Sequence, residues 1–251
     1  MLSELMKRGR ALSIAEVVDI MTMLDRELSD TDGLWWFNHL YLRVTLAVRS
    51  AVTTTTFRDP SFLERLDVVF ANLYFDALAA GDTDPRAAPS AWRPLFESRH
   101  QPSLLSIQFA LAGMNAHINR DLPAGIVATY LATDGAPGPS GARRDDFEKV
   151  NDLLEAVEAQ IKGEFATGIV GLVDSVAGDV DDAVAMWKVR AAREAAWTHA
   201  EVLWTLRGSP ALHDAFFMRL DRFTGFASRG LLLPGAQRKG LENRRRAGPS
   251  K

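Results

Sequence analysis

The chain has 251 residues, of which 47% are hydrophobic and 24% charged, with 18 Gly and 11 Pro. Such a composition excludes wholesale disorder and collagen-like repeats, and the length buries a core without covalent staples. The absence of cysteine excludes disulfides, thiolate zinc sites and thiol nucleophiles.

The formal net charge of -3 is unevenly spread, because Arg238, Lys239, Arg244, Arg245, Arg246 and Lys251 face Glu242 alone. The body is therefore more acidic than the whole, which argues against a broad nucleic-acid surface. Residues 231–251 read as a flexible basic tail on an all-helical domain over residues 1–230. No apolar run is long enough to span a membrane, and no apolar segment follows Lys7, Arg8 and Arg10 as in a signal peptide. The expected location is the cytoplasm.

The elements are helical throughout. Ser13 and Glu16 form a capping box that opens a helix to about Leu28. A second helix spans Leu34 to Ala51. Asp59-Pro60 starts a third, closed by Gly81. A Pro-rich connector to Pro102 holds one short helix from Ala91 to Arg99. The fourth helix, Ser103 to Leu122, ends before Pro123, and a short one covers Ala124 to Thr133. A Gly/Pro/Ser loop follows from Asp134 to Ala142. Helices are then expected over 145–162, 166–177 and 179–207, and from Ser209-Pro210 to Ser228. The fold class is all-α, a single-domain bundle of about 7–9 helices.

Polar residues fall on faces that ought to be buried. The second helix is apolar almost all round, so it is central, and His39, Arg43, Asn38 and Thr45 lie on narrow stripes within it. The fourth helix carries His117 and Asp121 on one line, and Gln108, Asn115 and Asn119 on another. The third carries Asn72 and Asp76, with Asp67 among Leu63, Phe70 and Tyr74. His199 is flanked at helical spacing by alanines and leucines. Unpaired buried polar groups cost about 1–3 kcal/mol each. These must meet one another, water, a metal or a substrate.

Two chemistries suit such a set. In the first, His39, His117 and His199 with Asp121 and Asp76 or Asp67 hold one divalent ion (Zn, Fe or Mn), whose bound water does hydrolytic work. The substrate is then a phosphoester or other anionic small molecule held by Arg43 or Arg120. Asn72, Asn115, Asn119 and Trp36 orient it. In the second, a metal-free pocket binds or isomerises an apolar small molecule. Trp35, Trp36, Phe109 and Met114 are its walls, and His117 with Asp121 is its acid–base pair. A non-catalytic interaction domain, with purely structural stripes, is the third reading.

The segment His117–Pro123 (HINRDLP) resembles the His-x-x-x-Asp element of the all-helical zinc phospholipase C and single-strand nuclease families. That resemblance implies zinc and a phosphoester substrate, although their later His-x-x-x-Glu element has no counterpart at His199. A longer resemblance runs through Trp36–Tyr41 (WFNHLY), Phe62-Leu63, Asp67–Tyr74 (DVVFANLY), Ala91–Glu97 (AWRPLFE) and Gln108–Pro123 (QFALAGMNAHINRDLP). These are similar to domain-of-unknown-function family 5995, which implies no assigned activity. Asp179, Asp181 and Asp182 resemble the aspartate-rich motif of helical terpene cyclases, with Ala185 in its last place, and Asn151–Glu155 resembles their second motif. Acidic caps at helix starts explain both.

Overall fold

The structure is a computed structural model that describes residues 9–52, 57–167 and 189–234. All regular structure among the described residues is helical. Nine stretches serve as α1 (Ile14–Glu27), α2 (Gly33–Val52), α3 (Pro60–Gly81), α4 (Arg93–Ser98), α5 (Ser106–Ala116), α6 (Leu122–Leu131), α7 (Ala142–Thr167), α8 (Val189–Leu206) and α9 (Pro210–Leu231). Of the expected helix over 166–177 only residues 166 and 167 are described, as the end of α7, and the start of the one at 179 lies outside the described residues. So do the aspartates at 179–182 and the basic tail beyond residue 234.

Local chemistry sets the starts. The Glu16 N–H donates to Ser13 Oγ at 3.2 Å, the first half of the capping box, while the Glu16 carboxylate reaches one residue further back and accepts from the Leu12 N–H at 2.8 Å. The Phe62 N–H donates to Asp59 Oδ1 at 3.1 Å, and Pro60 fills the position that needs no donor. Buried Asp146 accepts from the Arg58 and Asp59 N–H groups at 2.8 and 2.7 Å, which ties α7 to the entry of α3.

The central helix is α2, packed by α1 on one side, α5 on another and α7 beyond. The backbones of α2 and α5 come close because Gly113 carries no side chain. A Cβ there would lie 2.4 Å from the Phe37 ring. On the far side of α5, Gly225 lets α9 rest on the connector, where a Cβ would lie 2.2 Å from the Ser90 carbonyl oxygen.

The expected break before Pro123 does not occur. Instead His117–Asp121 form a π turn between α5 and α6, with the Leu122 N–H donating to the His117 carbonyl. Proline brings no N–H and its ring displaces the preceding turn. Widening that turn by one residue keeps the helix running. π turns of this kind concentrate at functional sites.

Candidate active site

The π turn presents His117 to the middle of the bundle. The residue is 2% exposed and Asp121 is 0% exposed. Asp121 Oδ2 accepts hydrogen bonds from His117 Nδ1 at 3.1 Å and Trp92 Nε1 at 2.9 Å, while Oδ1 accepts from Arg120 Nη1. Arg120 also donates from Nε to Asp221 Oδ1 at 3.0 Å, and Asp221 in turn accepts from the Ser90 and Ala91 N–H groups at 3.0 Å each. Every oxygen of Asp121 is thus occupied, and the imidazole is fixed with its proton on Nδ1.

The other ring nitrogen, Nε2, is enclosed and has no hydrogen-bond partner. Burial depresses the His117 pKa, against a smaller upward pull from Asp121. The ring is therefore neutral near pH 7, with a bare lone pair on Nε2. Phe70 stacks on it at 3.5 Å, and the Tyr41 ring lies edge-on at 4.5 Å.

Beside His117 is a hollow of about 70 Å³, with Phe37, Leu40, Tyr41, Val44, Met114 and Ile118 among its walls. A second hollow of about 60 Å³ adjoins it, sharing Tyr41, Val44, Phe70, Leu154 and Arg193, and reaching Asp67. Each is smaller than the apolar cavity of about 150 Å³ that holds a benzene ring, and the two together approach that size.

Three further polar groups line this space. The Tyr41 hydroxyl is buried without a partner. Burial, and after it the carboxylates of Asp67 and Asp121, push its pKa well up, so it stays a hydroxyl donor. Asp67 is half-buried, yet its Oδ2 is sealed and unpartnered. Burial, then Glu64, push that carboxyl up to about 7. The third is Arg193, 7% exposed on α8.

The remaining residues expected at a site are placed elsewhere. His39 pairs with Asp25 at 3.0 Å and stacks on Trp35. His199 is half-buried against Phe216, and burial lowers its pKa. Asp76 is exposed and paired with Arg10. The proposed ligand set of His39, His117, Asp121, His199 and Asp76 is therefore not assembled. Among the described residues, no three His, Asp or Glu side chains gather as a metal ion requires. The apolar circumference of α2 implied an inward His39, but the end of α1 supplies Asp25 at that edge.

Asn72 donates to the Ala11 and Val68 carbonyls and accepts from the Ala11 N–H. Asn115 donates to the Thr224 carbonyl and to Ser228 Oγ, and accepts from Asn119 Nδ2 at 2.9 Å. Trp36 donates to the Asp30 carbonyl at 2.8 Å, and half-buried Arg43 is not among the hollow's walls. Of the walls expected for a metal-free pocket, Met114 lines the hollow, while Phe109 packs on Gly33 and the Trp35 Nε1–H donates to the Asp25 carbonyl.

Sequence reasoning did not single out Tyr41 or Arg193. Tyr41 counted as apolar, and its hydroxyl was not followed inward. Arg193 shares the face of Val189, Ala196, Trp197 and Ala200, and that spacing was the available signal.

Fold and site together define an all-helical protein with a mainly apolar interior hollow and a carboxylate-oriented histidine at its wall. The chain belongs to the family of unknown function DUF5995, which it matches over residues 14–234. No curated protein and no solved structure matches it.

Proposed function

We propose that the protein binds a small, mainly apolar carbonyl compound in this hollow and moves a proton on it, with His117 as the base. The observation that carries the reading is the buried, unpartnered Nε2 of an imidazole whose other nitrogen is held by Asp121. A general base needs a lone pair, a fixed tautomer and a pKa that leaves it unprotonated. His117 meets all three.

In the reaction, Nε2 takes a proton from the carbon beside the carbonyl. The electron pair of that C–H bond passes into an enolate, and the developing oxyanion accepts a hydrogen bond from the Tyr41 hydroxyl. In a substrate with a C=C bond next to that carbon the enolate is a dienolate, and return of the proton from His117 to its γ carbon moves the double bond into conjugation and gives an isomerised product. The apolar walls exclude water, so the enolate is not quenched at random. A metal-dependent hydrolase built on the expected imidazoles would need them at one centre, whereas His39 pairs with Asp25, His117 with Asp121, and His199 packs on Phe216.

Cyclohexanone is a small apolar ketone that reports both halves of the reading. It is expected to raise the melting temperature of the parent protein and to exchange its α-protons for deuterium in D2O, followed by NMR. His117→Gln should abolish the exchange. Met114→Trp, which fills the hollow, should abolish both effects. No melting shift at saturating cyclohexanone would overturn the proposal, as would exchange that persists in His117→Gln.

A further inference from the structure

Arg193 is the group on the hollow's wall that proton transfer does not use. Its Nε donates to Asn151 Oδ1 at 2.8 Å and its Nη2 to the Phe147 carbonyl at 2.9 Å, with the guanidinium 4.0 Å above the Phe147 ring. No carboxylate pairs with it among the described residues. Its cationic neighbours each have their own acids: Arg144 pairs with Glu148 and Glu194, Arg190 with Asp152 and Glu155. Desolvation, then these two arginines, lower the Arg193 pKa to about 9, which still leaves it charged at neutral pH.

A buried cation without a counter-ion is costly and calls for a partner. Asp67 borders the same hollow, but a carboxyl with a pKa pushed up to about 7 is a poor counter-ion. Tyr41, whose hydroxyl is enclosed, lines the two hollows that Arg193 borders. A buried positive charge thus borders a space whose other walls, apart from His117, Tyr41 and Asp67, are aliphatic and aromatic.

From this we infer that the natural ligand is a small, mainly apolar oxo acid, with its carboxylate anchored by Arg193 and its hydrocarbon body and carbonyl in the hollow beside His117. The inference rests on the proposed function and names the substrate class for that same site. The carboxylate supplies the missing counter-charge, and the carbonyl is left to Tyr41.

Cyclohexanecarboxylate and cyclohexylmethanol share a ring and differ in charge, so calorimetric titration of both against the parent protein and against Arg193→Gln separates the claims. A charge-assisted pair predicts that the parent binds the carboxylate at least about tenfold tighter than the alcohol, and that Arg193→Gln loses this preference. If the parent binds the two equally, the acid inference falls and the hollow stands. A preference that survives in Arg193→Gln also overturns it, because the anchor is then elsewhere. If the parent binds neither compound, the acid inference and the proposed function fall together. The comparison within the parent decides the matter even if Arg193→Gln does not fold.

Discussion

At the scale of single residues, Asp121 carries the most consequence. It is fully enclosed and holds three donors from two places in the chain: Trp92 in the connector, and His117 and Arg120 on the π turn. Replacing a buried charged partner leaves the others uncompensated, at a cost of about 3 kcal/mol or more. Asp121→Asn is therefore expected to lower the urea midpoint by that order and to free the imidazole to change tautomer, with loss of deuterium exchange. An unchanged midpoint would mean that the network adds no net stability.

Asp67 gives a pH signature of defined sign. Its folded pKa of about 7 stands above the ordinary 3.8 because burial and then Glu64 disfavour the anion. The folded state thus holds a proton that the unfolded chain has released between those two values. Stability from this group is complete below pH 4, declines as pH rises toward 7, and is flat above. Asp67→Asn removes the effect. Parent and variant should diverge across that window by on the order of 2 kcal/mol, less than the full shift implies because the residue is half-exposed. Denaturant titrations of both proteins from pH 4 to 8 check this, and parallel curves would contradict it.

At the scale of elements, close backbone approaches hold the site's frame. Gly113 faces the Phe37 side chain, which has some freedom to move, whereas Gly225 faces the Ser90 backbone carbonyl, which has little. Gly225→Ala should accordingly cost more than Gly113→Ala, about 3 kcal/mol against 1–2. Thermal melts of the two variants rank them. The reverse order would mean that the connector yields more easily than the α2–α5 interface.

Helix starts were readable in the sequence because caps are local chemistry: Ser13 with Glu16, and Asp59 with Pro60, act where their spacing says. The π turn was not readable. Pro123 ends a helix on local rules, and only the packing of α5 and α6 against α8 and α9 makes it pay to widen the turn and continue. His117 and Asp121 were legible as a pair because four residues on a helix share a face. The partners of His39 and Asp76 were not, because Asp25 and Arg10 reach them from another part of the chain.

At the scale of the whole molecule, the polar stripes divide in two. Asn72, Gln108 and Asn115 donate to backbone carbonyls of distant segments and tie those segments together, Asn119 bonds to Asn115 along the same helix, and Asn38 donates to the Met21 carbonyl while its Oδ1 stays without a partner. Tyr41, Asp67 and His117 instead keep enclosed atoms without partners around one pair of hollows. Membership of a stripe was visible in the sequence, but which stripe residues stay unsatisfied depends on tertiary distances. No helix among the described residues is long and apolar enough to cross a membrane.

The whole account turns on the state of one ring. Nitrogen-15 NMR of imidazole-labelled protein at pH 7, before and after addition of cyclohexanone, reads it directly. The expected spectrum shows His117 neutral, protonated on Nδ1, with an Nε2 resonance that moves when the ketone binds. A His117 that is charged, protonated on Nε2, or unmoved at saturating ketone would contradict the account.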